Sequence, residues 1–373
     1  MFEAAPDRNA FMLKGPLARC GYDWWWHSFT ARHARTGAEK AFFVEYFLCN
    51  PALAQAEPHF GDGDTRPSYG MLKVGAWGEA PCQIHNFAPW SEIAIGDGPL
   101  QVSIGQSRLS ETAMSGSCSV SEAQQAAHPE WASDVGAMRW DLTIDKQIHY
   151  SVGYGASVPA RTLNLFEMFW HAEGIKTLYS GWVEFNGERY EVTPETSFGY
   201  ADKNWGGDFT SPWLWISSCD LVSRTTGRRL DNSAVEIGGG RPVFLGVPLE
   251  RQLLAYLAWE GTGFDFNFSR PWERANVTFT FTEGETENRW AIVATRPDVV
   301  MELDLTCPKA EMQLFRYQAP NGSRRHTRLW NGGTGRGEIR LYAVEDGART
   351  VLDIIDIGHA GCEYGEYDAT RPY

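Results

Sequence analysis

The stretch Trp182-Val-Glu-Phe-Asn-Gly-Glu-Arg-Tyr-Glu-Val192 decides the fold class of this chain of 373 residues. Its centre, Asn186-Gly187, stands between two short runs rich in aromatic and β-branched side chains. An Asn-Gly pair in this setting is the strongest short-range signal for a β-hairpin. Further tight turns are indicated at Thr36-Gly37, at residues 224–228 and at residues 345–348. The sequence therefore predicts antiparallel strands joined by short turns.

Strand signals dominate the rest of the chain, whereas helix signals are few. A capped helix of two turns is predicted over residues 119–127, ending near Pro129, and a shorter one at residues 89–92. No βαβ repeat is visible, so the predicted fold class is all-β, by sheet closure or as a sandwich. The predicted strands share turn-formers at both ends and a high content of β-branched and aromatic residues; they are Phe42–Phe47, Met138–Ile144, Lys176–Phe185, Trp213–Leu221, Gln252–Trp259, Asn276–Thr282, Trp290–Thr295, Val299–Thr306 and Glu338–Val344.

A Gly-, Pro- and Asp-rich segment at mid-chain, residues 188–211, predicts a junction between two domains near residue 195. Residues 1–195 and residues 196–373 would then each form a closed or nearly closed antiparallel sheet. The two parts are of similar length, and each is long enough to bury a core of its own.

Composition narrows the class of partner. The 33 Lys and Arg residues against 47 Asp and Glu residues give a net charge of −14, which argues against nucleic acid or an anionic membrane as a partner. No stretch approaches the ~18 apolar residues of a membrane-spanning helix, and the first fifteen residues lack the pattern of a secretory signal. The seven cysteines are scattered and odd in number, which is typical of free thiols in a reducing cytoplasm. We expect a cytoplasmic protein; the sequence does not indicate its oligomeric state.

Tryptophan is the outlier of the composition, with 16 residues. Most Trp side chains fill cores, but this excess also indicates a large apolar pocket lined with rings, and hence a hydrophobic small molecule as the partner. We find no His-x-His, His-Glu-x-x-His or Cys/His spacing typical of a metal site, and no Gly-x-Ser-x-Gly elbow. The Gly-rich residues 332–337 lead into a strand rather than a helix, so they predict a tight bend and not a phosphate loop. No cofactor is expected.

The stretch Gly199-Tyr-Ala-Asp-Lys-Asn-Trp-Gly206 carries the candidate chemistry. In an extended strand Tyr200, Asp202 and Asn204 share one face, so that Asn204 can orient Asp202, while Lys203 points away. An apolar pocket would raise the pKa of Asp202 by desolvation and keep it protonated near neutral pH. Such an acid can protonate an alkene, and aromatic rings can stabilise the cation that forms. The alternative, with about even weight from spacing alone, is an Asp that caps the turn before the Gly-Gly pair that ends the stretch.

The aromatic run Tyr22-Asp-Trp-Trp-Trp-His-Ser-Phe29 supplies further candidates. Alternation puts Trp25 and His27 on one face of this strand, with rings on both faces. Glu45 lies in an otherwise apolar strand, and a buried carboxylate is costly unless it has a partner. His27 is the predicted partner, through a hairpin at Thr36-Gly37. This pair is either structural, which we favour slightly, or a second acid–base pair facing the pocket.

The motif Gly199–Gly206 with the following Trp213-Leu-Trp215 resembles the tocopherol cyclase family and, more distantly, the carotenoid 1,2-hydratases. Residues 22–28, 236–240, 331–338 and 361–365 look like further segments of the family, so the resemblance is spread over most of the chain. It implies two lipocalin-like β domains with an apolar pocket and cofactor-independent protonation of an isoprenoid double bond.

By this resemblance the motif's aspartate, which is the proton donor of the hydratases, corresponds to Asp202. A phenol oxygen of the substrate captures the cation in a cyclase, water does so in a hydratase, and related pericyclases fold a polyene without proton transfer. Lys203 stands where the hydratase motif carries His, which is a departure from the family pattern. The resemblance does not give the identity of the substrate, because the residues that line the pocket vary outside the motif.

The resulting prediction is an enzyme for a prenylated or polyene substrate, with Asp202 as the acid and Asn204 as the residue that orients it. Glu45 and His27 are second candidates for catalysis and would deprotonate the nucleophile. Two alternatives remain open: a lipocalin-like carrier without chemistry, and a carbohydrate-binding protein or glycosidase, which needs two facing carboxylates in a polar cleft. The remaining residues predicted to line the site or bind substrate are Tyr200, Trp25, Trp205, Trp213, Trp215 and Lys203.

Overall fold

The computed structural model describes residues 6–61, 64–98, 100–152, 162–268 and 270–366. The predicted all-β class is confirmed: two large antiparallel sheets account for most of these residues, and the described part of the chain contains one α-helix. Within the same ranges, no helix combines the length and apolar character that crossing a membrane requires.

The first sheet has twelve strands in the order β4-β3-β2-β1-β11-β10-β9-β8-β7-β6-β5, and β12 pairs with both β1 and β10. All of its pairings are antiparallel, and it curls into a barrel-like shape around its own core. The strands are β1 Tyr22–His33, β2 Glu39–Cys49, β3 Tyr69–Ala76, β4 Cys82–Ala88, β5 Ile93–Ile95, β6 Gln101–Ile104, β7 Ser107–Ser110, β8 Ala113–Val120, β9 Gly136–Tyr150, β10 Met168–Phe185, β11 Glu188–Val192 and β12 Gly199–Gly206.

The second sheet has eleven strands in the order β19-β18-β15-β13-β25-β24-β22-β21-β20, with β14 paired to β25 and β23 paired to β24. The short strands β16 and β17 form a separate pair. The bounds are β13 Trp213–Ser218, β14 Asp220–Ser223, β15 Ala234–Gly240, β16 Val243–Phe244, β17 Val247–Pro248, β18 Gln252–Trp259, β19 Thr262–Phe266, β20 Asn276–Glu283, β21 Glu287–Thr295, β22 Val299–Pro308, β23 Gln313–Gln318, β24 Arg324–Glu345 and β25 Ala348–Glu366.

The predicted turns join neighbouring strands as expected. Asn186 and Gly187 have φ angles of 50° and 84° and connect β10 to β11, which is the left-handed geometry of a two-residue hairpin turn. Gly37 connects β1 to β2, and Asp346 with the glycine after it connects β24 to β25. The Gly-rich residues 332–337 form no separate bend, because they lie within β24, where its register with β25 shifts twice.

Helical structure is limited to short segments, as predicted. The helix α1 covers Glu122–Ala127, and a capping box between Ser121 and Gln124 starts it, so the cap lies two residues after the predicted start at residue 119. The 3-10 helices are Pro6–Asn9, Gly15–Ala18, Pro51–Leu53, Trp90–Glu92, Pro129–Trp131, Pro271–Glu273 and Lys309–Glu311.

Three apolar clusters fill the molecule, and their positions define the candidate site. The first-sheet core includes Trp25, Phe42, Leu72, Trp140 and Trp205, and every member comes from the first sheet or the segments beside it. The second-sheet core includes Ile216, Trp290, Leu303 and Ile355, all from the second sheet. The inter-sheet cluster combines both sheets: Tyr22, Trp26, Phe43, Phe47, Trp170 and Tyr200 come from the first, and Trp213, Trp215, Phe315 and Tyr317 come from the second.

The chain changes sheet between Gly206 and Trp213, because β12 pairs within the first sheet and β13 within the second. The predicted domain junction near residue 195 precedes β12. The division into domains 1–195 and 196–373 stays a prediction.

Candidate active site between the sheets

Alternation along β12 sends its side chains to two different environments. Tyr200 and Asp202 face the inter-sheet cluster, whereas Lys203 and Trp205 face the first sheet's interior. All eight residues of β12 are buried because β1 pairs on one side and β10 on the other. The predicted extended conformation of Gly199–Gly206 therefore places its aspartate between the sheets.

Asp202 has one carboxyl oxygen in hydrogen bonds and one without a partner. The indole Nε1–H of Trp170 donates to Oδ2 at 2.7 Å, and the hydroxyl of Tyr200 donates to the same oxygen at 3.2 Å. No described residue hydrogen-bonds to the buried Oδ1. Desolvation raises the pKa of Asp202 well above its ordinary value, and these two hydrogen bonds oppose the rise only in part. Burial therefore favours the neutral form of this carboxyl, and Oδ1 is the oxygen that accepts no hydrogen bond from the described residues.

A second buried carboxyl stands behind Tyr200. The hydroxyl of Tyr200 lies 2.9 Å from Glu236 Oε1, and the indole of Trp215 donates to that same oxygen at 2.9 Å. Burial raises the pKa of Glu236 well above its ordinary value. Tyr200 thus bridges two carboxyl groups, and its single proton can serve only one of them at a time.

The unpartnered oxygen belongs to a residue that lines a small cavity between the sheets. The cavity has a volume of about 20 Å³, enough for roughly one water molecule. Two carboxyl groups and five aromatic side chains line it; they are Asp202, Glu363, Trp24, Trp26, Trp213, Trp215 and Tyr317. The indole N–H groups of Trp24 and Trp26 are buried without a hydrogen-bond partner among the described residues.

Glu363, on β25, is held differently from Asp202. Trp213 Nε1–H donates to its Oε2 at 2.9 Å, and the Asn331 side-chain amide donates to its Oε1. Trp77 in turn donates from Nε1 to Asn331 Oδ1 at 2.9 Å, which fixes the orientation of the amide. Burial raises the pKa of Glu363 to about 7, while the Asn331 and Trp213 donors pull it down.

The position of Trp170 depends on a glycine in the second sheet. A Cβ atom on Gly238 would lie 2.4 Å from Cζ3 and 2.5 Å from Cη2 of the Trp170 ring. Real Cβ contacts of that length do not occur, so the missing side chain lets the ring pack directly on the backbone of β15. The first sheet's Trp170 therefore reaches Asp202 because the second sheet carries Gly238.

Two clefts adjoin the cavity through shared side chains. One has a volume of about 140 Å³ and an almost entirely apolar lining that includes Phe166, Trp170, Trp213 and Leu254. The other, of about 260 Å³, is lined by aromatic residues and by Arg316, and it shares Tyr317 with the cavity. Trp213 stands between the apolar cleft and the cavity, where it packs edge-to-face on Trp170 at 5.6 Å.

Asn204 does not orient Asp202, contrary to the prediction. Its Oδ1 accepts a hydrogen bond from the Tyr22 hydroxyl at 2.6 Å, and its Nδ2 has no partner among the described residues. The side chain is fully buried, so it ties β12 to β1. Trp170 and Tyr200 are the residues that hold Asp202.

Three residues predicted to bind substrate lie on the wrong face for this cavity. Trp25 and Trp205 belong to the first-sheet core, and Lys203 sits with its Nζ 3.9 Å from the Trp25 ring centroid and 5.5 Å from that of Trp205. Lys203 is ion-paired with Asp23, and both side chains are fully buried. Side chains alternate between the two faces of a strand, so the face that carries Asp202 points into the cavity and the face that carries these residues points into the first-sheet core. Trp213 and Trp215 do line the cavity, as predicted.

The predicted pairing of Glu45 with His27 is wrong. The hairpin forms, but its register sets Glu45 opposite Trp26 and His27 opposite Val44, so the two side chains point to opposite faces. His27 Nδ1 lies 2.8 Å from the Tyr179 hydroxyl in the first-sheet interior, and burial lowers its pKa.

Glu45 finds its partners on other strands of the inter-sheet cluster. Its Oε2 lies 3.2 Å from Lys73 Nζ and accepts a hydrogen bond from the Tyr317 hydroxyl at 2.8 Å. The Lys73 ammonium also stands 3.5 Å from the centroid of the Tyr317 ring. Burial raises the pKa of Glu45 and lowers that of Lys73 to about 8. The pair borders the cavity through Tyr317 and does not line it.

Sequence reasoning missed Glu363 and Trp170, and it gave no role to Glu236. Glu236 and Glu363 lie within segments that resemble the family, and each stands in a strand among small or aromatic residues, which was the available signal. Trp170 carried no signal, because its role depends on contact between two sheets. Among the described residues, no group of three or more His, Cys, Asp or Glu side chains is arranged to hold a metal ion.

Comparison with known proteins gives a family and several distant folds. Residues 110–366 match the family described as Tocopherol cyclase-like. A segment of 127 residues is 33% identical to the chloroplastic tocopherol cyclase of Zea mays, covering 34% of this chain and 24% of that protein. The probable chloroplastic tocopherol cyclase of Oryza sativa subsp. japonica is 34% identical over 127 residues, with the same coverage. The matched segment thus spans about a quarter of the length of these curated relatives.

Among solved structures, the chain is similar to kievitone hydratase from Nectria haematococca, with a TM-score of 0.46 and 12% identity over 94% of this chain and 91% of that one. It is also similar to CghA in complex with Sch210972, with a TM-score of 0.48 and 10% identity over 94% of this chain and 89% of that one.

Proposed function

The chain belongs to the tocopherol cyclase-like family, and on that premise we propose that it is a cyclase- or hydratase-type enzyme. In this proposal Asp202 protonates a carbon–carbon double bond of a hydrophobic, prenylated or polyene substrate. The observation that carries the proposal is the buried carboxyl of Asp202. Its Oδ1 has no hydrogen-bond partner in the described part of the chain, and the residue lines a cavity walled by Trp and Tyr rings.

The environment of Asp202 suits an acid that must hold its proton at neutral pH. Desolvation favours the neutral carboxyl, and the nearby Glu363 raises the pKa of Asp202 further. A raised pKa also makes the group a weaker acid, so the barrier to protonation must be lowered elsewhere. Stabilisation of the cation by the surrounding rings supplies that compensation.

Aromatic faces can stabilise a carbocation, because the ring face carries a negative electrostatic potential. Trp24, Trp26, Trp213 and Trp215 all line the cavity with Asp202. A cation over an indole ring gains about 2 kcal/mol or more when it is desolvated. The hydrogen bonds of Trp213 to Glu363 and of Trp215 to Glu236 fix two of these rings before the charge develops.

The adjoining apolar cleft is where we place most of the substrate. The cavity itself holds roughly one water molecule, so a prenyl chain reaches Asp202 only if a side chain between the cleft and the cavity turns aside. Trp213 lines both spaces. A tilt of its ring that keeps the hydrogen bond to Glu363 would join them, and the reacting double bond would then lie beside Asp202 with the chain in the apolar cleft.

The test is turnover in deuterated water with a panel of prenylated phenols and linear polyenes, read by mass spectrometry. Wild type should place one deuterium on carbon, and Asp202→Asn should reduce the rate by about 10²–10⁴-fold, as expected for loss of a general acid. Asp353→Asn is the matched control, because Asp353 is also buried and also accepts a hydrogen bond from an indole N–H, that of Trp259, but lies in the second sheet away from the cavity.

Two results would overturn the proposal. Tight binding of these substrates with no product and no deuterium uptake by folded wild type would assign the protein to the carriers. Equal turnover by wild type and Asp202→Asn would remove Asp202 from the chemistry. The oxygen that captures the cation separates the two reaction types: a phenol oxygen of the substrate indicates a cyclase, and water indicates a hydratase. The product mass distinguishes them.

A further inference from the structure

Glu363 is the second carboxyl group of the inter-sheet cavity, and its hydrogen bonds complement those of Asp202. Both of its oxygens accept from neutral N–H donors, Trp213 and Asn331, whereas one oxygen of Asp202 has no donor within the described ranges. N–H donors on both oxygens stabilise a carboxylate, and a bare oxygen can carry a proton. The two carboxyls are therefore set up for opposite tasks in one cavity.

We propose that Glu363 is the general base that takes the proton from the attacking oxygen nucleophile after Asp202 has protonated the double bond. This inference rests on the proposed function. It assigns to Glu363 the step that the sequence analysis had given to Glu45 and His27.

Every proton that moves in this reaction has a donor and an acceptor within the cavity. The O–H bond of Asp202 breaks, its proton forms a C–H bond with one alkene carbon, and the other alkene carbon becomes the cation. An oxygen lone pair of a phenol or a water then forms the C–O bond, and the O–H proton moves to a carboxylate oxygen of Glu363. The site ends with Asp202 ionised and Glu363 protonated, and one proton returned from Glu363 to Asp202 restores it.

The other buried carboxyls are less suited to this step. Glu236 does not line the cavity and lies behind Tyr200, which hydrogen-bonds to it at 2.9 Å. Glu45 also does not line the cavity and is paired with Lys73. Since a general base must come within hydrogen-bond reach of the proton that it removes, Glu363 is the carboxylate with access.

Several charged or titratable groups act on Glu363 from the elements packed against it. Asp202 on β12 and Glu45 on β2 bring like charges when ionised, Lys73 on β3 brings an opposite charge, and the Tyr317 hydroxyl lies on β23. Their balance with burial leaves the pKa of Glu363 at about 7. The ionised fraction of Glu363 falls from most to little as the pH drops through its pKa, so the turnover rate should decline as the pH falls through about 7.

The first experiment compares wild type and Glu363→Gln in deuterated water, with product and recovered substrate analysed separately. The variant keeps the acid and the rings but loses the base. We expect product formation to fall by about 10²-fold or more, while deuterium still appears in recovered or double-bond-shifted substrate, because the cation forms and reverts. Asp202→Asn should instead abolish both signals, which separates the two roles.

A second variant keeps the Glu363 carboxyl and removes one of its donors; because Trp213 also lines the cavity, the readout is the position of the acidic limb and not the absolute rate. Trp213→Phe removes one hydrogen bond that lowers the pKa of Glu363, so the acidic limb of the pH–rate profile should move to higher pH; Trp259→Phe, the control, should leave the limb in place. This variant also carries the test if Glu363→Gln fails to fold.

Wild-type rates and an unchanged acidic limb in folded Glu363→Gln, or an unmoved limb in Trp213→Phe, would overturn the assignment of the base. Absence of deuterium uptake by wild type would instead contradict the proposed function itself.

Discussion

The contact between Gly238 and Trp170 yields a quantitative prediction for Gly238→Ala. The added Cβ would lie 2.4 Å from the ring, and carbon atoms pack at about 3.5 Å or more, so the ring must move by about 1 Å. The Trp170 Nε1–Asp202 Oδ2 distance is 2.7 Å, and a shift of about 1 Å carries it past the usual hydrogen-bond limit of about 3.2 Å. Asp202 thus loses its shortest hydrogen bond.

The expected consequences concern both rate and stability. A displacement of about 1 Å near the reacting group can lower the rate by about 10²-fold, so kcat/KM should fall by about 10- to 100-fold. Overpacking should lower the free energy of unfolding by about 1–3 kcal/mol. The assays are steady-state turnover and urea denaturation, with Gly207→Ala as the control because a Cβ there meets nothing closer than 3.8 Å.

A double-mutant cycle with Trp170→Phe isolates the mechanism. Phe lacks both the indole donor and the ring atoms that meet the new Cβ, so Gly238→Ala should have little further effect in that background. Wild-type kcat/KM in folded Gly238→Ala, or the same loss with and without Trp170, would refute the argument that this glycine sets the Asp202 hydrogen bond.

Three further predictions concern stability. Lys73→Met removes the cation that lies 3.2 Å from the buried Glu45 carboxyl, and it should lower the free energy of unfolding by about 3–5 kcal/mol. The double variant with Glu45→Gln should regain part of that stability. If urea denaturation shows no regain, the ion pair does not stabilise the fold as argued. Gly187 has room for a Cβ, but its φ of 84° lies in the left-handed region that other residues adopt at a cost. Gly187→Ala should therefore be less stable than wild type by about 1–2 kcal/mol, with unchanged kcat/KM. Equal thermal stability of the two proteins would contradict the left-handed turn. The pKa of Glu363 is raised from 4.5 to about 7, so between these pH values the folded state holds a proton that the unfolded state releases. The free energy of unfolding should therefore fall as the pH rises from about 4.5 to about 7. The expected fall is about 2 kcal/mol, less than the full pKa shift would give, because the side chain is only partly buried; a pH dependence unaltered in Glu363→Gln would contradict this assignment.

Alternation within strands was the part of the site that sequence could predict. The period of two correctly put Tyr200 and Asp202 on one face of β12 and Lys203 on the other, and Asn186-Gly187 correctly predicted a hairpin. These features depend on residues that are near one another in the chain, where backbone geometry alone fixes the direction of each side chain.

Partners across strands and sheets were the part that sequence could not predict. Glu45 was recognised as a buried carboxylate in need of a partner, but the partner is Lys73 on β3, a strand buried on both faces that shows no alternation to detect. Glu363 lines the cavity from the second sheet, and Trp170 hydrogen-bonds to Asp202 from the first, 193 positions away in the chain. Only the packing of one sheet on the other brings such residues together.

The separation of the three apolar clusters has a consequence for how such a protein can change over generations. Each sheet closes over a core of its own, and neither core lines the inter-sheet cavity. The inter-sheet cluster, which includes Trp213 and Tyr317, lies outside both cores. In the proposed function, exchanges among these rings that conserve volume can therefore alter the cavity, and with it the preferred substrate, while each sheet keeps its own core.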